Sequence, residues 1–159
     1  MNKSILKVVG VVAVAAALCV GCGGDNGVNG GGDNALYGTW CLDENCVLSR
    51  TFNRNGTFEF RAVGSNGVVG SSKGTYSTSG TTITHNVTEV CPMILDGCYS
   101  NEEQLKNAYI ERLMSAGMNQ EQARITAESE ASHAFIGSTA NYSVDGNTLT
   151  LGSQNYTRK

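Results

Sequence analysis

The chain has 159 residues, a formal net charge of −3 and charged side chains at only 16% of positions. That length allows one domain with a substantial core. Lysine and arginine do not cluster beyond the first residues, so the basic footprint of a nucleic-acid binder is absent.

The first segment, MNKSILKVVGVVAVAAALCVGC, sets Lys3 and Lys7 ahead of an apolar run from Val8 to Val20, followed by small residues. This layout predicts a secretory signal peptide over residues 1–21. The run is too short to span a bilayer comfortably, which takes about 20 apolar residues. Its end, Leu-Cys-Val-Gly-Cys, resembles a bacterial lipobox, with Gly21 before Cys22 and Cys19 where leucine is usual. Cys22 is the expected lipidated residue, carrying palmitate-type chains and anchoring the mature protein to a membrane. Gly23 follows it in place of Asp, which under enteric-type sorting rules points to the outer membrane. Residues 22–34 are rich in Gly, Asp and Asn, with Val28 the one aliphatic side chain. Such a segment cannot bury enough surface to offset its ordering entropy. It reads as a tether with a reach of roughly 20 Å.

Residues 35–159 carry strand and turn signals. Turns are expected at Asn53–Gly56, Ser65–Gly67, Thr78–Gly80 and Val144–Gly146, where Gly supplies the positive φ that hairpins need. Between them the pattern has period two: Phe58, Phe60 and Ala62 share a face, as do Ile83, His85 and Val87, and Leu149 and Leu151. Strands are predicted at Leu36–Leu42, Val47–Asn53, Thr57–Val63, Val68–Ser71, Gly74–Ser79, Thr81–Val90, Ala140–Val144, Thr148–Gly152 and Tyr156–Arg158. Thr75–Thr84 and Asn141–Thr150 both read x-Tyr-Ser-x-x-Gly-x-Thr-x-Thr. Each copy is expected to be a hairpin turning at Gly80 or Gly146. Short strands and short turns predict an antiparallel meander. Curling its apolar face inward closes it into an up-and-down β-barrel and removes its edges.

A two-helix insert is expected over residues 100–136, before the last strands. Ser100 and Glu103 stand at capping-box spacing, with Leu105, Ala108, Tyr109 and Leu113 as the apolar stripe and Gly117 as the stop. Asn119 caps a second helix whose buried face is Ala123, Ala127, Ala131 and Ala134, with Gly137 as its stop. The hairpin is expected to lie across one mouth or the outer wall of the barrel.

Four cysteines remain in the domain: Cys41, Cys46, Cys91 and Cys98. An even count in an exported chain points to two disulfides, among three connectivities. The local pairs Cys41–Cys46 and Cys91–Cys98 are preferred. The rival is a Cys₄ zinc site, for which these spacings are looser than the usual C-x2-C.

LYGTW, SRTFNRNGTFEF, KGTYSTSGTTIT and YSVDGNTLTLGSQNYTR together resemble the small bacterial lipocalin-like domain lipoproteins, a calycin-like barrel family. The likeness covers most of Leu36–Ser79 and Ala140–Arg158. The helical insert and the cysteine loops fall outside it, and the second lipocalin motif, Thr-Asp-x-x-Tyr, is absent. Gly38-Thr39-Trp40 matches the Gly-x-Trp of lipocalin first strands. The resemblance implies a lipocalin-like barrel and an arginine packed over that tryptophan, a role that falls by position to Arg158.

No nucleophile motif or metal-binding helix motif occurs, so neither an enzyme, a cofactor nor a metal is expected. His133 falls among alanines, whereas His85 shares the inward face of Ile83 and Val87. Two functions from different classes follow. One is an outer-membrane-anchored barrel that binds a small apolar or amphipathic ligand. Its pocket would be lined by Trp40, Phe58, Phe60, Ile83, His85 and Leu149, with Tyr142 as polar handle. The other is a filled barrel that meets an envelope protein through its helices or cysteine loops. A barrel of about eight strands allows either.

Overall fold

The computed structural model describes residues 33–65 and 67–159, with the backbone alone at Val68 and Val69. The expected leader, Cys22 and the tether up to residue 32 lie outside the described residues. After a 3-10 turn at Asn34–Leu36 come β1 (Gly38–Cys41), β2 (Leu48–Phe52), β3 (Thr57–Gly64), β4 (Gly67–Ser79) and β5 (Thr82–Cys91). Two helices follow, α1 (Glu102–Ser115) and α2 (Gln120–Ala134), then β6 (Ser138–Asp145), β7 (Thr148–Leu151) and β8 (Gln154–Arg158). Each strand pairs antiparallel with the next, and β8 closes on β1 through Trp40↔Arg158 and Cys41↔Thr157. The product is a closed eight-stranded, all-antiparallel barrel with a two-helix insert before its last three strands.

Eight strands form where nine were expected. Val68–Ser71 and Gly74–Ser79 are two parts of the continuous β4. No turn separates them; instead the β4–β5 ladder shifts register between Lys73 and Gly74. A Cβ at Gly74 would stand 1.9 Å from the Asn86 carbonyl oxygen and 2.9 Å from Phe58 Cε1, so glycine permits the close approach. The two similar hairpins lie side by side, β5 pairing with β6. They turn at Gly80 and Gly146, both at positive φ, and set Tyr76 and Tyr142 in equivalent buried positions.

One core fills the barrel at the end where the 3-10 turn sits. Leu36, Trp40, Phe52, Phe58, Tyr76, Ile83, Tyr142, Leu149, Leu151 and Tyr156 pack there. Leu36 and Trp40 are fully buried, and Trp40 Nε1 donates to the Leu36 carbonyl at 2.7 Å, so the turn acts as a plug. Toward the opposite end the inward residues Leu48, Arg50, Phe60, Ala62, Ser72 and Val90 are only half-buried. The barrel is filled below, and above that core its inward residues keep partial solvent contact.

The helices have a separate small core. Leu95, Leu105 and Ala131 are buried together, with Tyr99, Ala108, Tyr109, Ala134 and Phe135 against them. The stripe expected to lie on the barrel packs instead on the partner helix and on the Pro92–Ser100 segment. That segment is fastened to the open end of β5 by the Val90↔Tyr99 bridge. Asn101, rather than Ser100, caps α1, accepting from Gln104 N at 2.9 Å. Its carboxamide oxygen reaches the first-turn N–H, and Ser100 Oγ turns instead to the Gln104 side chain. Asn119 caps α2 by the same contact to Gln122 N. Such caps contribute typically about 1 kcal/mol each. Gly117, at φ 91°, ends α1, whereas α2 stops at Ala134, three residues before Gly137.

Candidate functional site

Residues directly opposite on paired strands point to the same side of a sheet. The ladders therefore place Arg158, Trp40, Arg50, Phe60, Ser72 and Val90 on one inward row, running from β8 through β1 to β5. Arg50 is the cation on that row in the open half. Its Nε donates to Tyr156 Oη at 3.2 Å, and that hydroxyl donates onward to Gln154 Oε1 at 2.8 Å. Its guanidinium lies 5.3 Å from the Phe60 ring centroid and 5.8 Å from that of Tyr156.

Among the described residues no carboxylate forms an ion pair with Arg50. The strands explain why. Their acidic residues are Glu59, Glu89 and Asp145, and the pairing turns all three outward. Simple alternation from His85 and Val87 would aim Glu89 into the barrel. The register shift places one extra residue, Thr88, between the pairs Gly74↔Val87 and Lys73↔Glu89. Glu89 thereby faces out and pairs with Lys73 at 2.8 Å, while Val90 takes the inward position.

His85 lies below this row, 4% exposed. Its ring centroid is 5.0 Å from that of Phe58, edge to face, and 5.8 Å from that of Phe52. Its Nε2 is buried and has no hydrogen-bond partner among the described residues. Burial, and secondarily the positive charge of Arg50, lower its pKa to about 4, so the imidazole is neutral at neutral pH. Tyr76 and Tyr142 stand at the plugged end. Burial raises both hydroxyls, Tyr76 to about 12, with the neighbouring Tyr37 adding to the shift. Tyr76 Oη donates to the Asn53 carbonyl at 2.9 Å.

Of the residues expected to line a pocket, Trp40, Phe58, Ile83, Tyr142 and Leu149 pack into the buried core of the barrel. His85 contacts it through Phe58 and Phe52. Phe60 stands apart, half-buried in the open half. Arg50 was missed from sequence, although its alternation with Leu48 and Phe52 carries the signal that it faces inward.

Both local disulfides are present, Cys41–Cys46 and Cys91–Cys98. Glu89 lies beside the second, but the two sulfurs are bonded to each other and not available to hold a metal. The described residues form open clefts at two places away from the barrel core. One, of about 340 Å³, runs between the Cys41–Cys46 loop and Thr157–Lys159; the other, of about 320 Å³, lies between Leu95–Tyr99 and α1. The exposed His133 bonds Ser129 and Ser132 on its own helix. The arrangement around Arg50 suits recognition: one cation, an aromatic wall and a phenol. Comparison with protein-family models, curated proteins and solved structures finds no match.

Proposed function

We propose that this chain is a non-enzymatic lipoprotein of the bacterial envelope, lipocalin-like in its barrel, that binds a small amphipathic molecule in the open half of that barrel. The observation that carries the reading is the burial gradient along the inward face. Leu36, Trp40, Ile83 and Leu149 are fully buried at the plugged end, whereas Leu48, Phe60, Ala62 and Val90 remain half-buried at the other. Apolar side chains that keep solvent contact on the inward face offer a surface on which an apolar group can be covered. The Arg158 guanidinium over Trp40, at 4.4 Å, supports the lipocalin likeness. The leader-like residues 1–21 and the Gly21-Cys22 junction support an acyl anchor at the outer membrane.

Binding of a hydrophobic fluorescent dye tests the carrier role. One-to-one binding that weakens when Phe60 is replaced by Ala is expected, and a stable protein that binds no dye and purifies without a small molecule refutes it. For the anchor, Cys22→Ala should release the protein from membranes, since several acyl chains hold where one is marginal. Intact-mass detection of an unacylated mature N-terminus elsewhere would refute that part.

A second reading rests on the helical hairpin, whose core holds no strand residue. An element that packs on itself and is joined at the rim of a barrel is suited to meeting an envelope protein. Deleting residues 100–136 should then abolish a crosslink to that protein and leave dye binding intact.

A further inference from the structure

We propose that the open half of the barrel takes a compact carboxylate, held by the two terminal nitrogens of Arg50, with its apolar body against Phe60, Leu48 and Val90. This rests on the carrier reading above and gives its ligand a chemical class.

Four features of the site point to a carboxylate. First, Arg50 is half-buried on an inward row, and among the described strand residues no acidic side chain faces it. A partly buried guanidinium with no ion-pair partner among the described residues can take up an arriving anion. Second, Nε is already engaged by Tyr156 Oη, which orients the plane of the group and leaves the outer edge without a hydrogen-bond partner among the described residues. That edge presents two N–H donors at the spacing of two carboxylate oxygens. Third, the Phe60 and Tyr156 rings flank the guanidinium and hold it by cation–π contact. Fourth, Arg158, the other arginine of the row, already donates to the Ala35 carbonyl and lies over Trp40. Among the described residues Arg50 is thus the arginine of the row whose terminal nitrogens make no hydrogen bond, and one such fork matches one carboxylate.

The distance from Arg50 to the rim limits the size of the ligand. From Arg50 to Leu48 at the rim is two residues of strand, about 7 Å. Below Arg50 the lumen is filled by Phe52, Phe58, His85 and Tyr156. A ring or a short chain fits above the carboxylate, while a long acyl tail has no interior to enter. The ligand therefore lies head inward, with its apolar part toward the helical hairpin.

The test uses the full-length protein and titration calorimetry with three probes: 3-phenylpropionate, its neutral amide, and hexadecanoate. The expected result is saturable one-to-one binding of 3-phenylpropionate, at least tenfold weaker binding of the amide, and no advantage for hexadecanoate. This comparison needs no variant. Arg50→Gln, checked for folding by near-ultraviolet circular dichroism, should lose at least tenfold in affinity for the carboxylate and leave the amide unchanged. Equal affinities for carboxylate and amide, or unchanged carboxylate binding by folded Arg50→Gln, overturn the proposal while the carrier reading stands. Tighter binding of hexadecanoate overturns the compact-ligand part. Failure of every probe and of the hydrophobic dye overturns both.

Discussion

The Arg158 guanidinium lies 4.4 Å from the centroid of the Trp40 ring, across the seam where β8 closes on β1. The two residues are direct cross-strand partners, and the seam has only one other pair, Cys41↔Thr157. Arg158 Nη2 also donates to the Ala35 carbonyl, and Trp40 Nε1 to that of Leu36. One pair thus fastens the barrel closure to the plug beneath it.

Removing that arginine should weaken closure and plug together. A cation–π contact contributes about 0.5–2 kcal/mol, and a hydrogen bond from a charged group about 1.5–3 kcal/mol. Arg158→Ala should therefore lose about 2–5 kcal/mol in urea denaturation. Arg158→Lys should recover less than half of this, because an ammonium cannot stack on the ring and reach the carbonyl together. A fully stable Arg158→Ala protein would remove the seam role.

The disulfides should prove local in their effects. Peptide mapping without reductant should recover Cys41–Cys46 and Cys91–Cys98 as the bridges, as the fold has them. Their sequence separations are only 5 and 7, so each should contribute less than the roughly 3 kcal/mol of a 15-residue loop. The Cys91–Cys98 loop carries Leu95 into the helical core. Replacing both of its cysteines by Ser should speed hydrogen exchange in α1 and α2 and leave the exchange of the β1–β3 amides unchanged.

The barrel was legible because strand parity is a local signal. Phe58 with Phe60, Ile83 with His85, and Leu149 with Leu151 show their shared faces without knowledge of any partner strand. Gly80 and Gly146 mark hairpins for the same reason, and each short cysteine loop suggests its own pairing. What escaped depends on contacts between strands. The continuity of β4 past Lys73 rests on its ladders to β3 and β5. The outward turn of Glu89 rests on one extra residue, Thr88, in that ladder. Without that turn, a glutamate would be expected to face the lumen and neutralise Arg50. The helical core was misplaced because an apolar stripe shows that it must be covered, but not by what.

His85 should make the barrel sensitive to acid. Its ordinary pKa near 6.5 applies to the unfolded chain, and about 4 to the folded one. Between those values the unfolded chain binds a proton that the folded barrel does not. Stability therefore falls as pH drops from about 6.5 to about 4, by about 3 kcal/mol in all, and this contribution is fully present above pH 6.5. Carboxylate effects are shared with a variant and cancel in the difference. The stability gap between the parent and His85→Leu should change by about that amount across the window and be flat above it. A constant gap would mean that His85 keeps an ordinary pKa in the fold.

Gly74 is the position where the smallest substitution should do the most damage. It faces inward on β4, opposite Phe58 on one side and Val87 on the other, where the ladder changes register. An added methyl would overlap the Asn86 carbonyl oxygen, which belongs to backbone and cannot swing aside, and would press on the Phe58 ring. Overpacking of this kind costs about 1–3 kcal/mol and sometimes more. The backbone overlap places Gly74→Ala at the upper end, about 3 kcal/mol. Gly70, on the same strand, is the control: its nearest contact for an added Cβ is 3.5 Å, an ordinary van der Waals distance. Gly70→Ala should therefore stay within about 1 kcal/mol of the parent, allowing for glycine's greater freedom in the unfolded chain. Denaturant midpoints for the two variants decide the matter. Equal midpoints would mean that β4 and β5 do not approach at Gly74 as closely as the register shift requires. In that case the outward turn of Glu89, and with it the unneutralised Arg50, would lose its basis.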